Sequence, residues 1–125
     1  MAISQKRSKR KVSTGKYIKY RKTKKNELGS NPTFTKIGKV KRKKVKEYGG
    51  NEKVRSLVAE NINVYDPKSK KYKQAKIKTV VENPANRHFV RRNILTRGTI
   101  VDTEIGKAKI TSRPGQEGTL NGILI

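Results

Sequence analysis

Cysteine is absent from this chain, which excludes disulfides and thiolate metal sites and leaves no sign of an oxidising compartment. Histidine occurs once, as His88, so a zinc site would need several carboxylates, and only nine acidic residues are present. No apolar run approaches the roughly 18 residues of a membrane span. The opening MAISQKRSKRKV holds no apolar segment for a secretory signal. The expectation is a soluble intracellular protein with no membrane attachment. Phosphate-loop chemistry is missing as well. Gly15-Lys16, Gly38-Lys39 and Gly106-Lys107 lack both the earlier glycine and the following Ser or Thr, and no dinucleotide fingerprint occurs.

What the chain has in excess is positive charge: 33 Lys and Arg against the nine acids, a formal net +24. A field of that strength repels itself and implies a polyanionic partner, most commonly nucleic acid. The charge is uneven. Residues 1–25 hold eleven cations and no acid, whereas residues 26–125 hold 22 basic and nine acidic residues, a net +13. This asymmetry predicts a basic, RNA-binding arm over residues 1–30 and a folded body over 31–125. In the arm, Ile3, Val12, Ile18 and Leu28 are too sparse to bury a face, so it is expected to be disordered when free. Its segment KYIKYRKTKK interleaves Tyr17 and Tyr20 with cations, a pattern in which rings stack on unpaired bases while Lys and Arg meet phosphates.

The body alternates short β-prone runs with turn signals. Gly49, Gly50 and Asn51 in VKEYGGNEKVRSLV predict a hairpin turn. The preceding KIGKVKRKKVKEY fits a helix face about as well as a strand, and the hairpin partner favours strand. Val54, Ser56, Val58, Ile62 and Val64 alternate up to a loop at residues 66–70. Beyond it Ala75, Ile77, Thr79 and Val81 alternate against Gln74, Lys76 and Lys78, a half-buried strand with a basic outer face. Arg97-Gly98 and Gly106-Lys107 mark breaks, and Pro114-Gly115 fits the centre of a type II turn. The chain finishes on an apolar strand, Ile123, Leu124 and Ile125. The expected fold is mainly β: a small antiparallel β-barrel of about six strands, since closure removes exposed edges.

Catalytic constellations are not supplied. Asp102 and Glu104 would share one side of a strand and could hold a metal for a nuclease, but no third ligand accompanies them. Glu82 and His88 flank Asn83-Pro84, a turn signal, and have no further partner. No enzyme activity, metal or cofactor is expected. Binding chemistry is plentiful by comparison. Arginine makes bidentate phosphate contacts and stacks on bases, which singles out Arg91, Arg92, Arg97 and Arg113 in the body.

Six stretches carry a resemblance: RSKRKVSTGK, YRKTKKNELG, YGGNEKVR, KIKTVVENPANRHFVRRNILTRGTIV, EIGKAKITSRPGQEG and LNGILI. In this order they resemble the archaeal and eukaryotic small-subunit ribosomal protein family S-eight-e, closest to its short archaeal members. The resemblance implies a basic extension followed by a β-barrel-like domain, embedded in small-subunit (16S-type) ribosomal RNA beside neighbouring ribosomal proteins. It implies a structural, non-enzymatic, cytoplasmic role in the ribosome, and a monomer when free. Where the family motif reads Ser or Thr followed by two glycines, this chain has Thr14-Gly15-Lys16. The RNA-facing residues it suggests are Lys6, Arg7, Lys9, Arg10, Lys11, Lys16, Tyr17, Lys19, Tyr20, Arg21, Lys22, Lys24 and Lys25 in the arm. In the body they are Lys41, Arg42, Lys43 and Lys44, then the four arginines above. A free nucleic-acid binder, such as a ribosome-assembly factor or chromatin protein, is the alternative reading.

Overall fold

The computed structural model describes residues 3–5 and 7–125. The chain divides into two units, one ending at Pro32 and one spanning Thr33–Ile125. In the first, strand β1 (Ile3–Ser4) pairs antiparallel with β2 (Leu28–Gly29). Between them the segment from Lys9 to Tyr17 doubles back. The Lys11 N–H donates to the Gly15 carbonyl at 2.7 Å, and the Tyr17 N–H to the Lys9 carbonyl at 3.0 Å. The left-handed residue of this turn is Thr14 (φ 66°) and not a glycine. A β-branched side chain is strained there. None of the described residues up to Pro32 is buried.

The second unit contains β3 (Thr35–Ile37), β4 (Lys41–Lys46), β5 (Glu52–Ala59), β6 (Asn61–Asp66) and β7 (Lys71–Glu82). A one-turn helix α1 (His88–Arg91) follows, then β8 (Ile94–Leu95), β9 (Ile100–Thr103), β10 (Lys107–Ile110), α2 (Pro114–Glu117) and β11 (Asn121–Leu124). The KRKKVK segment is therefore strand β4. Gly49 (φ 71°) and Gly50 (φ 77°) turn it back onto β5, as the double glycine predicts.

Five strands close a barrel in the order β10-β11-β6-β7-β9, in keeping with the small barrel of about six strands expected, and the remaining four of this unit form a second sheet, β4-β5-β3-β8. Strand directions cannot alternate all the way round a ring of five, so one seam must be parallel. That seam lies between β11 and β6, where Asn121 pairs with Asn63. The other barrel pairs are antiparallel. Ile62, Val64, Ala75, Ile77, Val101, Ala108 and Ile110 fill the interior, joined by Val80, Leu95 and Leu120.

Two expectations are corrected by the backbone. Ala75 and Ile77 point inward, but Thr79 and Val81 are exposed and Val80 is buried. The β7–β9 register slips between Ile77 and Thr79, a β-bulge that inverts the alternation beyond it. Pro114-Gly115 is not the centre of a type II turn. Pro114 opens α2, where its missing N–H loses nothing, and the positive φ falls on Gly118 (71°), whose N–H caps the helix by donating to the Pro114 carbonyl at 3.2 Å.

The β6–β7 hairpin is set by Asp66. Its carboxylate accepts the Ser69 hydroxyl at 2.8 Å and the Lys68 N–H at 3.0 Å. These bonds, Ser69 first, hold its pKa below the ordinary 3.8. A depressed carboxylate contributes stability that is present above its unfolded pKa and lost as pH falls through the folded value. Ser69→Ala should move the Asp66 pKa upward toward 3.8, read by side-chain NMR titration; an unmoved titration contradicts the assignment.

Candidate nucleic-acid interface

The arm side chains are arranged around its two tyrosines. The Arg7 guanidinium lies 3.9 Å from the centroid of Tyr17, and the Lys11 ammonium 5.8 Å from it. Cations over an aromatic face are held by its quadrupole, so the charge is concentrated before any partner arrives. Arg21 behaves differently. It forms a bidentate pair with Glu27, at 2.6 and 3.1 Å, and donates to the Tyr20 hydroxyl at 3.0 Å. Glu27, and then Tyr20, raise its pKa above the ordinary arginine value. Arg21 is thereby committed to a structural pair, while Tyr20 remains 80% exposed. Lys9, Arg10, Lys11, Lys16, Lys19, Lys22, Lys24 and Lys25 are exposed, and Lys6 lies outside the described residues.

In the body the densest feature is β4, at the edge of its sheet. Lys41, Arg42, Lys43, Lys44 and Lys46 are all exposed. Alternation puts Arg42, Lys44 and Lys46 on one face and Lys43 on the other, and a register shift between Lys41 and Arg42 interrupts it there. Lys44 approaches Glu52 at 3.6 Å. Lysines on an edge also block edge-to-edge pairing.

Sequence reasoning missed Arg55, which lies on β5 directly opposite Lys43. Like charges facing each other across a ladder destabilise it. The Arg55 Nε is moreover buried with no hydrogen-bond partner. Nothing in the alternating VRSLV run distinguishes Arg55 from a solvated surface arginine; only the pairing with β4 does.

The other predicted arginines are exposed and dispersed around the α1 and α2 corners. Arg92 lies 5.5 Å from the ring of Phe34, which packs edge-on against Phe89 at 5.6 Å. Arg91 ends α1, Arg97 sits in the Thr96–Thr99 turn, and Arg113 precedes α2. The corner is fastened by Asn83, another residue the sequence did not single out as an anchor. Its buried amide donates to the Ile94 carbonyl at 3.1 Å and accepts from the Ala85 N–H at 3.0 Å and the Thr96 hydroxyl at 3.1 Å.

His88 is exposed, and its N–H donates to the Asn86 side chain at 2.9 Å. Among the described residues, no hydrogen bond or ion pair connects it with Glu82, and no three potential metal ligands cluster. Glu104 follows the end of β9, in a turn organised by the Thr103 hydroxyl, so it does not share a strand face with Asp102. No helix among the described residues is long and apolar enough to cross a membrane.

Comparison with known proteins identifies the family. The family model described as Ribosomal protein S8e matches residues 4–125. The small ribosomal subunit protein eS8 of Methanosphaera stadtmanae is 51% identical over 125 residues, 100% of this chain and 99% of its own. That of Picrophilus torridus is 46% identical over the full length of both. The Nanoarchaeum equitans protein of the same name is 55% identical over 105 residues, covering 84% of this chain and 83% of its own. A family match along almost the whole chain, with relatives aligned end to end, establishes that this protein belongs to the ribosomal protein S8e family.

Proposed function

We propose that the protein is a structural constituent of the small ribosomal subunit. It binds and stabilises folded small-subunit ribosomal RNA through its basic arm and the basic surface of its body, and it catalyses nothing. The observation that carries this reading is β4: five exposed cations on one six-residue edge strand, in a chain whose family is ribosomal. Each phosphate neutralised by such a surface releases condensed counterions, so binding is strong and falls steeply with salt. The arm, with no buried residue, lacks the apolar burial that would offset its ordering, and orders along RNA when it binds. Residues 1–30 and 31–125 thus divide the work between a polyanion-threaded extension and a preformed body. Its partners are 16S-type ribosomal RNA and adjacent ribosomal proteins in the cytoplasmic ribosome, and free it is a monomer.

Fractionation of a lysate tests this directly. Stoichiometric protein on mature small subunits after a high-salt wash supports the proposal, whereas presence only on precursors or chromatin overturns it.

The opposed cations Lys43 and Arg55 make a sharper expectation. Arg55→Met should stabilise the free protein by about 0.5–1 kcal/mol, because a like-charge pair and an unpartnered buried donor both disappear. The same change should flatten the salt dependence of RNA binding by about one unit of slope. Urea denaturation and binding titrations measure the two effects. A destabilised variant with unchanged RNA affinity would mean that Arg55 serves packing alone.

A further inference from the structure

On the outer face of the barrel, four strands bring side chains into register. Lys109 on β10 pairs with Ile123 on β11, Ile123 with Tyr65 on β6, and Tyr65 with Tyr72 on β7. The next row runs Asn121, Asn63 and Gln74. At its β10 end the Thr111 hydroxyl donates to the Asn121 carbonyl at 3.2 Å. Residues paired across a sheet point to the same side. Since Ile62, Val64, Ala75 and Ile110 fill the interior, both rows face outward.

The Tyr65 and Tyr72 rings are 5.0 Å apart and tilted by 44°, and Tyr72 is 78% exposed. The Asn63 amide donates to the Asn121 side-chain carbonyl at 3.2 Å. That bond holds both side chains in place and leaves the Asn63 oxygen and the Asn121 amide group available. Tyr65, Tyr72, Asn63, Asn121, Thr111 and Ile123 line a groove of about 310 Å³.

We propose that this groove binds one unpaired nucleobase of the ribosomal RNA, an inference that rests on the RNA-binding reading above. Tyr72 offers a ring face for stacking, Tyr65 supports that ring from behind, and Ile123 supplies an apolar floor. The free acceptor of Asn63 and free donor of Asn121 match the mixed edge that every base presents. Lys109, at one end of the row, meets an adjoining phosphate. A duplex does not fit this chemistry, because its bases are already stacked and its edges paired. A protein partner is the less suited occupant, since the exposed Lys109 continues the row of apolar positions and interface centres are depleted of charge.

The test uses the full-length protein and a short single-stranded RNA carrying 2-aminopurine, whose fluorescence is quenched on stacking. Wild type should quench it and prefer it to a duplex of the same composition. Tyr72→Ala should reduce the quenching, leaving only what Tyr17 and Tyr20 of the arm contribute, and weaken binding about 5- to 150-fold without changing the salt slope, whereas Tyr72→Phe should retain both. A photoreactive group at position 72 in assembled subunits should crosslink to RNA. Crosslinks to protein, or a Tyr72→Ala variant that quenches and binds like wild type, would overturn the inference. Either result leaves the wider reading intact so long as wild type still binds folded ribosomal RNA; loss of that binding would sink the wider reading itself.

Discussion

Removing residues 1–32 should lower affinity for folded small-subunit ribosomal RNA at least ~100-fold at about 0.1 M salt and flatten the slope of log affinity against log salt by about 5. The deletion takes away eleven cations and one acid, leaving 22 basic and eight acidic residues, a net +14. The remaining body should still bind RNA, but with fewer released counterions. It should also still fold. No described residue of the arm is buried, and the hydrophobic cluster is made entirely of residues beyond Pro32. Salt-dependent binding titrations measure the first effect and circular dichroism on the truncated body the second. Equal slopes for the two proteins would show that the arm threads no phosphates. An unfolded body would show that the core depends on the arm.

Gly118→Val should destabilise the fold by about 3 kcal/mol. Two effects add at this position. The backbone is left-handed (φ 71°), which a β-branched residue adopts only under strain. A Cβ would also stand 2.8 Å from the Val54 side chain and 2.9 Å from its carbonyl oxygen, so relief requires moving backbone. The glycine thus sets how closely the α2 turn lies on β5, the strand that carries Arg55. Urea denaturation of the full-length protein measures the loss. Gly118→Ala should lose less, having the strain with a smaller clash. A Gly118→Val protein as stable as wild type would mean that the α2 segment is not docked on β5.

Much of this was legible in the residues. The charge and its concentration ahead of residue 26 follow from counting, and so does the lack of a catalytic set around His88. The GGN hairpin and the inward faces of Ile62, Val64, Ala75 and Ile77 follow from local turn chemistry and alternation. Legibility stopped where the answer depended on a distant strand. Thr79 and Val81 continue an unbroken alternation in the sequence, yet the β7–β9 slip turns them outward and seats Val80 inside. Asn83 looks like an ordinary residue before proline, and its role appears only with the Ile94 carbonyl in reach.

The sequence alone determined the charge excess, its concentration near residue 1 and the strand content, because charge, propensity and period-two alternation are properties of neighbouring residues. The tertiary structure decided which side chains share a surface. Lys43 meets Arg55 across twelve residues of chain, and Ile123 meets Tyr65 across fifty-eight. Such meetings depend on strand order and register. Those are settled by closing the barrel around its core, with the one parallel seam that five strands require.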